Sequence, residues 1–158
     1  MNSTKEIQAA TRSGVYIISA LHRASRQSAI FIDELVRELD LSAADGHFLA
    51  YVSLYGPCSV GELLRVFGYR KPTMSSMINR LEKRGYLRRT LNAGDKRSLL
   101  VELTAEGRKV ADLGRSRVRG LDAAILERVT ESDLEGFQRV LSAVAHITGV
   151  EVRRAPRA

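Results

Sequence analysis

Pro72-Thr-Met-Ser-Ser-Met-Ile-Asn-Arg-Leu-Glu-Lys-Arg-Gly85 separates into two faces at helical spacing. Met74, Met77, Ile78 and Leu81 recur three and four residues apart, which predicts a core-facing stripe. Pro72, Thr73, Ser75, Ser76, Asn79, Arg80 and Lys83 then face outward. Proline suits the first position of a helix, because its missing N–H would be unpaired there anyway. Gly85 is the expected helix-ending residue. The outward set combines small hydroxyl residues, which let a backbone come close to a partner, with an amide and a guanidinium.

Upstream, Ser59-Val-Gly-Glu62 reads as a capping box opening a short helix with Leu63, Leu64 and Phe67 on its apolar face and Gly68 at its end. Before it, Ser42-Ala-Ala-Asp45 resembles a capping box for a helix that runs through Phe48, Leu49 and Val52 to Leu54, where Gly56-Pro57 stops it. The first 40 residues read as one long helix, with Val15, Ile18, Leu21, Ile30, Phe31, Leu35 and Leu39 mostly on one side. Downstream of Gly85 the period changes to two. Tyr86-Leu-Arg-Arg-Thr90 and Leu99-Leu-Val-Glu-Leu103 read as strands of a hairpin, and Asn92-Ala-Gly-Asp95 between them carries turn signals. Thr104 caps a long helix carrying Val110, Leu113, Val118, Leu121, Ile125 and Leu126. Thr130 or Glu131 starts a last one, with Leu134, Phe137, Val140, Leu141 and Val144 as its stripe and Gly149 as its end.

Two short helices joined by a tight turn and followed by a charged hairpin describe a winged helix-turn-helix. The second helix of such a pair enters the DNA major groove. Thr73, Ser75 and Ser76 can bond bases or phosphates. Asn79 can bond a phosphate or a base edge, and Arg80 can grip guanine or a phosphate. Lys71 can reach a phosphate near the helix N-terminus, which itself favours an anion. On the hairpin, Lys96 and Arg97 can enter the minor groove or hold its phosphates.

The charge distribution agrees. The chain has 158 residues, 25 basic and 18 acidic, for a net charge of +7. Between Arg65 and Arg97 there are ten basic residues and only Glu82 and Asp95 as acids, so this stretch carries +8 and the rest of the chain −1. A basic stretch of this kind is also what a solvated helix face with a charged hairpin would show.

In its middle section the chain resembles the MarR family of bacterial transcription regulators. The resemblance rests on Pro72 to Gly85, then Leu87-Arg-Arg89, Asp95-Lys-Arg97 and Val101-Glu-Leu-Thr-Ala-Glu-Gly107, all in the family's order and spacing. The order of the flanking helices extends it over nearly the whole chain. The resemblance implies a mainly α fold: a winged helix-turn-helix DNA-binding lobe (41–103) with an N-terminal helix (1–40) and C-terminal helices (104–150) forming a dimerisation region. A basic tail (151–158) with Arg153, Arg154 and Arg157 is expected to be disordered. The first and the last two helices carry more apolar side chains than one small winged helix can cover, which agrees with a homodimer.

The resemblance further implies a repressor on a pseudo-palindromic operator in double-stranded DNA, with Asp95 fixing the wing and Arg97 meeting the minor groove. It also implies release by a small aromatic or anionic effector bound between the two regions. His22, Arg23 and Arg26 on the first helix, and His47 and Tyr51 on the second, are candidate effector groups; taken singly, each is better read as a surface or interface residue.

Other classes predict different things. A non-specific, architectural or RNA-binding winged helix would bind by charge alone, with a steep salt dependence. A redox-responsive regulator would use Cys58, the single cysteine, which lies close to a helix N-terminus where a thiol pKa can fall. One cysteine and three dispersed histidines, His22, His47 and His146, give no metal-ligand spacing. No phosphate loop or nucleophile elbow marks an enzyme or a cofactor site. The N-terminal residues lack the order of a signal peptide and no apolar run is long enough to span a membrane, so a cytoplasmic location is expected.

Overall fold

A computed structural model describes residues 16–150, with side chains at all of these but 95–97. Helix α1 spans Ile17–Val36 and tightens into a 3-10 turn at Arg37–Leu39. The expected helix over the first 40 residues therefore ends earlier, and residues 1–15 lie outside the described ones. Asp40 reverses the chain in the left-handed region at φ 52°, a conformation aspartate tolerates better than most side chains. The reversal puts Val36 and Leu41, on either side of the turn, into the core.

Helix α2 (Ala43–Tyr55) opens with the expected capping box. Ser42 Oγ accepts from Asp45 N, and the Asp45 carboxylate accepts from Ser42 N at 3.2 Å. Its Phe48, Leu49 and Val52 are buried. A two-residue strand β1 (Cys58–Ser59) follows, which periodicity could not have revealed in so short a segment. Helix α3 (Val60–Phe67) is capped by Ser59, whose hydroxyl accepts from Glu62 N, and ends at Gly68 with φ +64°.

Helix α4 spans Lys71–Lys83, so Lys71 rather than Pro72 is its first residue and proline its second. The second N–H of a helix is also without an intrahelical acceptor, so the proline costs nothing there. The apolar stripe lies where its spacing predicts: Met74, Met77, Ile78 and Leu81 are buried. The helix ends in two nested bonds, Tyr86 N to Leu81 O and Gly85 N to Glu82 O, around a left-handed Gly85.

Strands β2 (Leu87–Asn92) and β3 (Asp95–Leu103) form the antiparallel wing, each longer than its expected segment. The sheet order is β1-β3-β2, with Cys58 opposite Val101 and Arg89 opposite the same valine on the other side. Helices α5 (Ala105–Leu126) and α6 (Glu131–Thr148) complete the chain. Thr104 joins wing to α5: its hydroxyl donates to Gly85 O and accepts from Gly107 N.

One apolar core runs through the middle of this arrangement. Phe48, Leu49, Leu63, Met74, Ile78, Leu81 and Leu103 are fully enclosed. Burial of each such side chain contributes about 1.5–3 kcal/mol, so the seating of α4 on this core is firm. Large apolar side chains elsewhere remain exposed. Phe31 on α1 and Phe137 on α6 are each 52% exposed, and Ile30, Ile125, Leu126 and Leu141 are similarly open. None of the described helices is long and apolar enough to cross a membrane.

Candidate nucleic-acid interface

The burial of one face of α4 presents the other. Lys71, Thr73, Ser75, Ser76, Asn79 and Arg80 are all exposed along it. Arg70, the N-cap residue, makes no side-chain cap, so the first N–H groups of the helix stay open to an anion. Pro72, Ser75, Ser76 and Asn79 border a shallow, open hollow of about 620 Å³ that continues past Arg80 toward Lys83. Small hydroxyl side chains flanked by cations are suited to close approach by a phosphodiester backbone.

Two of the expected contact residues already hold partners within the fold. Arg80 donates to Oδ1 of Asp45, a carboxylate 6% exposed while the arginine side chain is 50% exposed. Asn79 Oδ1 accepts from Arg89 Nη2 at 2.5 Å, and Arg89 Nη1 donates to Glu82 Oε2 at 2.6 Å. Arg84, at the end of the helix, reaches back to the turn after α1. It donates to Asp40 O and Leu39 O, pairs with Asp40 Oδ2 at 3.2 Å, and stacks over the Tyr86 ring with 4.9 Å to its centroid.

Asp45, Arg84 and Arg89 are thus part of the site's support, and sequence reading did not single them out for it. Asp45 was legible only as a cap. Its bond to Arg80 spans 35 residues, and no local spacing signals such a pair.

On the wing, Arg88 Nε donates to Glu102 Oε1 at 2.9 Å across the register pair. Asn92 Nδ2 donates to Ser98 Oγ near the tip. The side chains of Asp95, Lys96 and Arg97, expected to fix the wing and meet the minor groove, lie outside the described residues. The backbone places all three at the start of β3, at the far end of the hairpin from the core.

The candidate effector groups divide. His22, Arg23 and Arg26 are exposed on α1. His47 and Tyr51 on α2 instead flank Phe67 of α3, with ring centroids 5.2 Å and 5.5 Å away. The Tyr51 hydroxyl is buried and donates to Glu62 Oε1 at 3.2 Å. His47 keeps part of its ring in solvent, yet burial against the lobe holds its pKa below the ordinary value. Cys58 is fully buried in β1 opposite Val101, whereas a redox-sensing thiol needs access to its oxidant.

Comparison with known proteins gives a consistent picture. Residues 39–98 match the family model described as MarR family. The chain is 34% identical over 83 residues to the HTH-type transcriptional repressor Rv2887 of Mycobacterium tuberculosis, covering 52% of this chain and 60% of that protein. It is 28% identical over 129 residues to the HTH-type transcriptional regulator PecS of Dickeya dadantii, covering 80% of this chain and 69% of PecS. Among solved structures, the S. aureus MepR–DNA complex superposes with a TM-score of 0.72 at 20% identity, covering 85% of this chain and 99% of that one.

Proposed function

Because the chain belongs to the MarR family of winged helix-turn-helix transcriptional regulators, we propose that it is a sequence-specific DNA-binding repressor. It acts as a homodimer on a pseudo-palindromic operator and leaves the DNA when a small aromatic or anionic effector binds. The observation that carries the DNA reading is the outward face of α4. Lys71, Thr73, Ser75 and Ser76 are exposed on a helix whose opposite face is locked into the core. Rv2887 is named a repressor, and MepR was solved with DNA; both support the same reading here.

The dimer is supported by the apolar side chains left open on α1, α5 and α6, a pattern that marks protein contacts when it is contiguous. A two-fold pair would set two recognition helices about one DNA turn apart. For the effector, the exposed His47 ring beside Phe67 offers an aromatic edge, while His22 and Arg26 on α1 offer charge; Tyr51 lies buried in the core. An effector works only by binding the DNA-free and DNA-competent states with different affinity.

The test is fluorescence anisotropy on a duplex selected from random DNA, against a scrambled duplex, at two salt concentrations. The expected result is binding at least about a thousandfold tighter to the selected duplex. Equal binding to both, collapsing with salt, would make the protein a non-specific nucleic-acid binder.

A further inference from the structure

We propose that Arg89 is a positioning residue that locks the wing to the recognition helix, and that Asn79 belongs to this joint rather than to the base-reading surface. The proposal rests on the DNA-binding reading above. Asn79 and Glu82 lie one turn apart on α4 and so share a face. Arg89 reaches both from β2, placing one guanidinium nitrogen on each: Nη2 on Asn79 Oδ1 at 2.5 Å and Nη1 on Glu82 Oε2 at 2.6 Å. A guanidinium only donates, so the amide must present its oxygen to Arg89. Bidentate reading of adenine requires that same oxygen to face the base. Asn79 is therefore oriented by the wing.

The fork is planar and rigid, so two bonds to one helix fix an angle where a single bond would fix only a distance. Arg89 lies in the paired part of the wing, opposite Val101, three residues before the end of β2 at Asn92. That is about 10 Å of strand at about 3.4 Å per residue. Over such a lever a tilt of about 10° moves the tip by about 2 Å, enough to break a hydrogen bond made there. Residues 95–97 begin the returning strand at that tip. The joint thus sets where Lys96 and Arg97 arrive relative to the groove occupied by α4.

The experiment is a double-mutant cycle of Arg89→Met and Arg97→Ala by anisotropy on the selected duplex, with thermal unfolding of every variant as the control for folding. Each single change is expected to weaken binding about tenfold. The double variant is expected to be no more than about twofold weaker than either single one, since a displaced tip leaves Arg97 with nothing further to contribute. Additive losses would overturn the proposal, because a general structural role of Arg89 would leave the Arg97 contribution intact. Asn79→Asp keeps an acceptor for Arg89 and is expected to bind within about threefold of wild type. A loss beyond about tenfold would instead place Asn79 against the DNA and overturn its assignment to the joint. If wild type binds selected and scrambled duplexes equally, the regulator reading falls, while the same cycle on that duplex still decides the joint.

Discussion

Arg80, in the last turn of α4, donates to Asp45, the buried carboxylate that also caps the N-terminus of α2. One side chain thereby closes a helix end and tethers an exposed cation of α4. Asp45→Ala would remove the acceptor for Ser42 N and leave the Arg80 guanidinium without its partner. The expected loss of stability is about 1–3 kcal/mol by urea unfolding. Ser42→Ala, which removes the other bond of the capping box and leaves the Arg80 contact in place, should cost about 1 kcal/mol. Equal losses for the two variants would mean that the Arg80 bond adds nothing.

Gly107 sits in the first turn of α5 against the Tyr86 backbone. A Cβ there would come within 1.9 Å of Tyr86 O. Gly107→Ala must push the helix away from the end of the recognition helix, at a cost of about 1–3 kcal/mol or more. Gly46→Ala, at a helical position with nothing within 4 Å of the added carbon, should stabilise by about 0.5–1 kcal/mol. Thermal melts of both variants check the contrast, which disappears if α5 can shift freely.

The His47 ring is held below its ordinary pKa of about 6.5 by desolvation. The unfolded chain therefore binds this proton more readily than the folded one. Its contribution to stability is complete above pH 6.5 and declines as pH falls toward the lowered folded pKa. Urea midpoints measured from pH 7.5 to 5 should fall more steeply for wild type than for His47→Gln. Parallel curves would show that His47 titrates alike in both states.

Phe31 and Phe137, each 52% exposed, lie on the two helices that begin and end the described chain. Replacing either by glutamate puts a charge where a dimer would bury an aromatic ring. Sedimentation should show self-association weakened at least about tenfold for each, and operator binding should weaken with it. A wild type that sediments as a monomer at micromolar concentration would remove the dimer from the proposal.

Lys71 and Ser76 stand on the same exposed face but should fail differently. Lys71→Ala should weaken binding to all duplexes alike and flatten the salt slope by about 0.9, as expected when one phosphate is no longer neutralised. Ser76→Ala should alter the bases enriched from random DNA while leaving the slope unchanged. Swapped behaviour would reverse the two roles.

The order of helices, the buried stripe of α4, the caps at Ser42, Ser59, Thr104 and Thr130, and the hairpin were all legible from residue order. Each depends on side chains within a few residues of one another, and helical or strand periodicity reports such neighbours directly. The polar outward face was legible for the same reason: once Met74, Met77, Ile78 and Leu81 are inward, the rest of α4 must face out. Strand β1 was not, because two residues carry no period and only pairing with β3 defines them. Nor were the bonds Arg80–Asp45, Arg84–Leu39 and Arg89–Glu82, which form only when packing brings separate elements within hydrogen-bond reach. By itself the sequence determined that a cationic helix and wing would be presented. Tertiary structure decided which of those cations stay open and which are already held, because that depends on carboxylates and carbonyls supplied by other elements.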